Sequence, residues 1–150
     1  MSNTVGAILR HKGSQVWTAS PGDSVLEAIA LMADKRVGAL VVLHDNTVVG
    51  MISERDYARK VVLQGRSSKD TLVNAIMTSP VVSVTSRHTI DECMRVVAAE
   101  QIRHLPVIDG GRLVGVVSIG DLVRRLVSIQ GETIQYLQEY IAGPSPAQRI

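Results

Sequence analysis

The feature that most constrains the fold of this chain is an internal duplication at a fixed spacing of 65 positions. Residues 48–56, VVGMISERD, return as residues 113–121, LVGVVSIGD. The same spacing, with no insertion or deletion, also pairs identical residues before and after this stretch, from Val16 with Val81 to Val62 with Val127. A constant spacing over this length predicts two copies of one structural unit, arranged as a pseudo-symmetric pair.

Each copy of the repeated stretch is an apolar strand that runs into Ser-x-x-Asp, with Ser53 and Asp56 in the first copy and Ser118 and Asp121 in the second. One interpretation is a capping box, in which the two side chains satisfy donors at the start of a helix. The other is a ligand site, because such a corner presents backbone N–H groups, a hydroxyl and a carboxylate at one point. The residues leave both open, and both can hold at one corner.

Hydrophobic periodicity and turn residues predict the same order of elements in both copies. The first copy has a lead-in helix at 4–10, an extended piece at 16–18 and a helix at 24–36 with a Ser24–Glu27 capping box. Two strands at 38–43 and 48–52 flank the turn at Asp45-Asn46, and a helix follows at 54–63. The second has its counterparts at 72–77, 81–84, 89–100, 105–108, 113–117 and 121–129. The predicted fold class is therefore α/β (α+β), with two pseudo-twofold β-α-β-β-α units packed into one body.

The predicted domain boundaries follow from these elements. The first unit spans 4–65 with its lead-in helix, and the second spans 71–129 with its own. Gly131 is predicted to interrupt the last helix, so residues 132–150 form a separate amphipathic helix and a tail. Ile134, Leu137 and Ile141 make an apolar stripe on that helix, which needs burial and predicts a homodimer.

Composition excludes several classes of function. A net charge of +2 and only 3% aromatic residues argue against nucleic acid as the main ligand. One cysteine, Cys93, fits a reducing compartment, and no apolar run approaches the roughly 20 residues of a membrane span. The start also lacks the pattern of a signal peptide. We therefore expect a soluble cytoplasmic protein without membrane contact.

Catalytic and metal-binding patterns are missing from the sequence. The four histidines are far apart, and none stands at helical spacing from another metal ligand. There is no nucleophile motif, no P-loop and no Gly-x-Gly-x-x-Gly after a strand. The expected protein is not an enzyme and carries no metal.

The two units resemble a tandem pair of cystathionine-β-synthase (CBS) domains. Residues 37–42, VGALVV, and 102–107, IRHLPV, are similar to the central strand of that family, and the resemblance covers residues 4 to 129. It implies a pseudo-twofold pair, called a Bateman module, with two clefts. Family members bind adenosine-containing ligands there, among them AMP, ADP, ATP, NAD(H) and S-adenosylmethionine, and two modules often pair into a flat dimer.

The resemblance also implies which residues meet a ligand: the Asp accepts from the ribose hydroxyls, and the Ser lies near ribose or phosphate. A diol suits a carboxylate because the hydrogen bonds are charge-assisted. The expected cleft of Asp56 contains Met51, Ser53, Arg55, Val82, Ile102, Arg103 and His104. The expected cleft of Asp121 contains Val116, Ser118, Trp17, Val37, Gly38 and Ala39. His104 is placed where it could reach either cleft.

The two clefts are predicted to differ in charge. Arg103-His104 of the second copy corresponds to Gly38-Ala39 of the first, and Arg55 corresponds to Gly120. A guanidinium offers a planar fork to phosphate. Arg55 lies in the first turn of a helix, where the helix dipole disfavours a cation, and this indicates an anionic partner. The alternative for this helix is a solvated basic face.

These observations favour a stand-alone regulatory sensor that binds an adenine nucleotide and transmits its presence to an unidentified effector protein. AMP is the favoured ligand, with ATP, ADP or NAD(H) as alternatives. The alternative function is a dimeric assembly protein with vestigial nucleotide sites. Retention of both Asp56 and Asp121 favours the sensor, because an assembly role does not require these carboxylates.

Overall fold

The computed structural model describes residues 3–13 and 15–142, with side chains described as far as residue 131. The first unit contains β1 (Thr18–Ala19), α2 (Val25–Lys35), β2 (Ala39–His44), β3 (Thr47–Ser53) and α3 (Glu54–Tyr57), which continues as a π-helical turn over Ala58–Val62. The second contains α5 (Ile90–Glu100), β4 (His104–Asp109), β5 (Arg112–Ser118) and α6 (Ile119–Ala142). The lead-in helices are α1 (Val5–Lys12) and α4 (Val73–Ile76). The mixed α/β class is confirmed.

The two units repeat each other in their hairpins and first helices, which confirms the duplication. Both antiparallel hairpins carry a register shift at the same place, and α2 and α5 both begin with a capping box and end at a left-handed residue. The equivalent features are the pairs Leu40–Ile52 and Leu105–Val117, the shifts at Val42/Leu43 and Val107/Ile108, and the helix ends Arg36 and Gln101.

The lead-in helices are exchanged between the units. α1 packs its buried Val5, Ile8 and Leu9 into the core of the second unit, whereas Val73 and Ile76 of α4 belong to the core of the first. Backbone hydrogen bonds fix both helix starts, from Val5 N to His88 O at 2.9 Å and from Val73 N to Asp23 O at 2.8 Å. The exchange ties the two aliphatic cores together, because each needs apolar side chains from outside its own repeat.

The glycine of each repeated stretch is explained by this packing. A methyl group on Gly50 would lie 2.6 Å from Sδ of Met77, and one on Gly115 would lie 2.7 Å from Cδ2 of Leu9. Contacts this short leave no room for a side chain. Glycine therefore allows Leu9 of α1, and Met77 just after α4, to lie directly against the strand.

Two features differ from the sequence prediction. Residues 81–84 make a single bridge, Val84 to Val107, so the described part of the second unit has a two-stranded sheet and the first unit a three-stranded one. The predicted break at Gly131 is wrong: α6 is continuous over 24 residues. Glycine costs a helix only about 1 kcal/mol relative to alanine, and the helical sequence on both sides overrides it. The side chains of Ile134, Leu137 and Ile141 and the tail at 143–150 lie outside what is described.

Candidate functional site

A cavity of about 400 Å³ opens between the first strand-to-helix corner and the second unit. This volume lies within the range of small-molecule sites. β3 and α3 supply one wall, and the start of β4 with the segment before it supplies the other. The eight residues assigned by sequence to the Asp56 cleft all line it: Met51, Ser53, Arg55, Asp56, Val82, Ile102, Arg103 and His104.

The Asp56 carboxylate is held by the predicted capping box. Its Oδ2 accepts from the Ser53 backbone N–H and hydroxyl, both at 3.0 Å, while the Asp56 N–H donates to Ser53 Oγ at 3.1 Å. Its Oδ1 meets the Thr78 hydroxyl at 3.3 Å and Lys60 Nζ at 3.1 Å. The cap fixes the carboxylate at the cavity wall, so capping and ligand contact are compatible here.

The cavity lining carries more positive than negative side chains. The cations are Arg55, Arg59, Lys60 and Arg103, and the anions are Glu54, Asp56 and Glu100. Arg55 also reaches across the cleft, with Nη1 at 3.4 Å from the Gln101 carbonyl oxygen. Guanidinium groups beside an apolar wall suit a ligand that combines a flat ring with an anionic group.

The Asp121 carboxylate has a different environment, because two cations hold it. Oδ2 accepts from Lys12 Nζ at 2.6 Å and from the Ser118 N–H at 2.8 Å, and Oδ1 accepts from Arg124 at 2.7 Å. Burial raises the pKa of this carboxyl, but the bonds from Lys12, Ser118 and Arg124 outweigh burial and leave the pKa below its ordinary value. Asp121 therefore stays ionised at neutral pH.

Thr78 and Lys12 occupy corresponding places at the two corners. The Thr78 N–H donates to the Met51 carbonyl at 2.8 Å and its hydroxyl to Asp56. Lys12 donates to the Val116 carbonyl at 2.8 Å and to Asp121. Each lead-in segment thus hydrogen-bonds to the equivalent carbonyl and carboxylate of its corner. The group that meets the carboxylate is a neutral hydroxyl in the first unit and an ammonium in the second.

His104 lies between the two corners. Its ring lines the Asp56 cavity, and Cε1 and Nε2 come within 3.5 Å of the position that a Cβ on Gly38 would take. Burial lowers the pKa of this imidazole, Lys12 and Arg103 lower it further, and Asp121 opposes them. The neutral ring is therefore favoured, and the charges at the Asp121 corner act on a side chain that faces the other site.

The residues assigned to the Asp121 cleft are spread over three places. Val116 and Ser118 contact Lys12 and Asp121 as described. Gly38 and Ala39 line the Asp56 cavity, because β2 and β4 begin beside each other. Trp17 packs against the first core beneath Lys35, whose Nζ lies 4.4 Å from the ring centroid, and Val37 packs against the same core.

Sequence reasoning missed the roles of Lys12 and Thr78. The usable signal was the spacing of the lead-in helices, which departs from the 65 positions of the repeat.

Cys93 is buried as predicted, and burial raises its pKa to about 11, so it is an unreactive thiol. Among the side chains described at 3–13 and 15–131, no group of three or more His, Cys, Asp or Glu residues is placed to hold a metal ion.

The two repeated units form a tandem domain pair, and comparison with known families agrees. The CBS domain model matches residues 5–63 and again 73–128, most of the chain. The protein belongs to the CBS domain family.

Relatives share this organisation. The chain is 39% identical over 152 aligned positions to the mitochondrial CBS domain-containing protein CBSX3 of Arabidopsis thaliana, covering 95% of this chain and 73% of that protein. A solved structure from Burkholderia ambifaria, whose name proposes a signal-transduction role for its CBS domains, is 48% identical with a TM-score of 0.81. It covers 85% of this chain and 96% of that one.

The CBS domain pair of protein MJ0100 was solved in complex with 5'-methylthioadenosine and S-adenosyl-L-methionine. It is 24% identical to this chain, with a TM-score of 0.77, and covers 86% of this chain and 99% of that one. At that identity the likeness shows the shared fold. No helix in the described part of our chain is long and apolar enough to span a bilayer.

Proposed function

We propose that this protein is a regulatory sensor that binds an adenine nucleotide in the Asp56 cavity and signals by a change of conformation or of partner affinity. The observation that carries the proposal is the cavity itself, in which a fixed carboxylate, an apolar wall and three arginines converge. Sites of this kind, largely apolar with a few placed polar groups, are typical of small-molecule binding.

Each part of a nucleoside monophosphate has a counterpart in the cavity. Met51, Val82 and Ile102 offer apolar surface to a purine, and Asp56 offers an acceptor to the ribose hydroxyls. Arg55 and Arg103 offer guanidinium groups to a phosphate. The fold accommodates adenosine ligands in the MJ0100 pair. We propose AMP as the ligand, with ATP, ADP and NAD(H) as the alternatives to be tested beside it.

The remaining parts of the proposal concern context. We propose a non-enzymatic protein that acts in the cytoplasm as a homodimer and passes its signal to an effector protein. Support for a reducing location comes from the single buried thiol of Cys93. Support for self-association comes from Val123 and Val127, which are 42% and 60% exposed on α6.

The test is thermal unfolding of ligand-free protein with AMP, ATP or NADH. Ligand at 100 times its dissociation constant stabilises the folded state by about 2.7 kcal/mol. For a chain near this size we expect the midpoint to rise by about 5–10 °C. Asp56→Asn keeps the shape but removes the charge that a ribose diol prefers, so this variant should lose most of the rise.

The matched control is Asp70→Asn, the same change at an exposed position between the units. It should keep the full response. If none of the three nucleotides moves the midpoint of the wild-type protein, the sensor proposal fails. The alternative function, a dimeric assembly protein with vestigial nucleotide sites, is then favoured, with the exposed face of α6 as its dimer interface.

A further inference from the structure

The last residue of α1 is a lysine that lies at the second strand-to-helix corner, formed by Ser118 and Asp121. Lys12 is the last residue of the helix, and its Nζ lies 2.6 Å from Asp121 Oδ2 and 2.8 Å from the Val116 carbonyl oxygen. With the Ser118 N–H and Arg124, this contact engages both oxygens of the Asp121 carboxylate. Both oxygens of Asp56 are engaged as well, by Ser53, by Thr78 and by Lys60, which belongs to the same helix as Asp56. At Asp121, in contrast, a cation from another helix, Lys12, takes the carboxylate that a ribose diol would need.

The lysine is present because the first lead-in segment is longer than the second. Leu9 packs on Gly115 as Met77 packs on Gly50, which makes the two residues structurally equivalent. From Leu9 to Val16 the chain takes seven steps, whereas from Met77 to its repeat equivalent Val81 it takes four. The three additional residues continue α1 to Lys12, while α4 ends at Ile76.

The contact is suited to exchange. The Lys12 side chain is 39% exposed, while that of Asp121 is 10% exposed. An ion pair open to water on the lysine side is worth little, so the ammonium can leave at small cost. The carboxylate cannot follow it, because the Ser118 N–H and Arg124 still hold its oxygens.

Resting on the proposed function, we propose that Lys12 is an internal occupant of the Asp121 site, and that an adenine nucleotide binds there only when the last turn of α1 withdraws. The site is then conditional, unlike the Asp56 cavity, where a neutral Thr78 hydroxyl takes the place of Lys12 and the cation at the carboxylate, Lys60, comes from the same helix as Asp56. The two clefts therefore bind with unequal affinity, and occupancy of the second moves α1.

His104 connects the two sites. Its ring lines the Asp56 cavity, and Lys12, Asp121 and Arg103 are the charged groups that act on it. Withdrawal of Lys12 takes one cation away from beside the ring. Occupancy of the second site therefore changes the electrostatics of the first, which is a coupling between the sites.

The experiment isolates the second site by using Asp56→Asn as the background. AMP is titrated calorimetrically into Asp56→Asn, Asp56→Asn with Lys12→Met, and Asp56→Asn with Lys69→Met. Methionine keeps the apolar stem of lysine without its charge, and Lys69 is an exposed control between the units. We expect Lys12→Met to tighten AMP binding by about tenfold, within the usual range of coupling effects. Lys69→Met should leave it unchanged, and adding Asp121→Asn should abolish the gain.

Equal or weaker AMP binding after Lys12→Met overturns the inference, since Lys12 would then be irrelevant or a direct ligand contact. Hydrogen exchange supplies an independent readout in the wild-type protein: saturating AMP should speed exchange at the end of α1, including the Gly13 N–H that bonds to Leu9 O at 2.8 Å. Unchanged exchange with both sites filled also overturns it. A wild-type response to AMP that Asp56→Asn removes, without any gain from Lys12→Met, defeats this inference alone and leaves the proposed function standing.

Discussion

At the scale of single residues, the two strand glycines show how a repeated motif can carry a packing requirement. A Cβ on Gly50 would meet Sδ and Cγ of Met77, which is unbranched and can rearrange, and the Thr78 carbonyl oxygen at 3.1 Å, whereas one on Gly115 would meet the branched end of Leu9. The two methyl carbons of Leu9 lie 2.7 and 2.9 Å from the position that a new Cβ would take. The same substitution should therefore be tolerated less well in the second unit.

We predict that Gly115→Ala lowers the free energy of unfolding by about 1–3 kcal/mol, the usual cost of overpacking a core. Gly50→Ala should cost less. Gly22→Ala is the control, because no heavy atom outside its chain neighbours lies within 4 Å of the new Cβ, and it should stay within about 0.5 kcal/mol of wild type. Urea denaturation measures all three, and equal costs for all of them would contradict the exchanged helix packing.

A second prediction at this scale concerns His104 and pH. Burial lowers the pKa of this imidazole in the folded protein, whereas in the unfolded chain it titrates near 6.5. Between these values the unfolded chain binds more protons, so the stability contributed by the neutral ring is complete above about pH 6.5 and is lost as the pH falls. We expect the free energy of unfolding to decrease from pH 7.5 to 5.5, and His104→Gln to reduce that decrease.

His11→Gln is the matched control for the pH experiment, because His11 is an exposed residue of α1. It should leave the pH dependence as it is in the wild-type protein. If wild type and His104→Gln lose the same stability between the two pH values, His104 does not carry the effect.

At the scale of elements, α6 remains helical through Gly131, a residue that often ends a helix. The helix begins with Ser118 and Asp121 in the same Ser-x-x-Asp arrangement as α3, yet it continues for 24 residues, whereas α3 passes into a π-helical turn after Tyr57. Gly131 lies inside the helix, and a methyl group there would meet nothing within 4 Å.

We predict that Gly131→Ala stabilises α6, because alanine avoids the backbone entropy that glycine loses in a helix, worth about 1 kcal/mol. Far-UV circular dichroism should show helix content equal to or above that of wild type, and the thermal midpoint should not fall. Reduced helicity would instead mean that Gly131 adopts a non-helical backbone and that the helix ends there.

At the scale of the whole molecule, the exposed side of α6 is the surface we expect to pair in a homodimer. Val123 and Val127 are exposed on it, and the backbone of α6 carries Ile134, Leu137 and Ile141 onward in the same helix. In the sequence these five positions recur at three- and four-residue steps or their sum, a spacing typical of an apolar stripe along a helix. A second copy of the chain would cover that side.

We predict a dimeric mass by light scattering at micromolar concentration and a shift toward monomer for Val127→Asp. Val62→Asp is the matched control, since Val62 is the repeat equivalent of Val127 and is 55% exposed. It should leave the mass unchanged. A monomeric wild-type protein, or equal disruption by both substitutions, would contradict pairing through α6.

The sequence by itself determined the parts of this protein whose signals lie within about ten residues. The hairpins and the capping boxes at Ser24 and Ser53 follow from periodicity and turn residues, because these act locally. The duplication follows instead from the constant spacing of 65 positions, and the set of residues around Asp56 from the resemblance to the CBS family. The eight residues that the resemblance assigned to the Asp56 cleft line one cavity.

Tertiary structure alone decided which unit each lead-in helix joins, and with it the state of the second site. An amphipathic helix such as α1 fits any apolar surface of suitable shape, so its sequence does not identify its partner. The choice is made by contacts between residues far apart in the chain, Leu9 against Gly115 and the Val5 N–H on the His88 carbonyl. Because α1 lies there and runs one turn further than α4, Lys12 meets Asp121 across 109 positions of sequence.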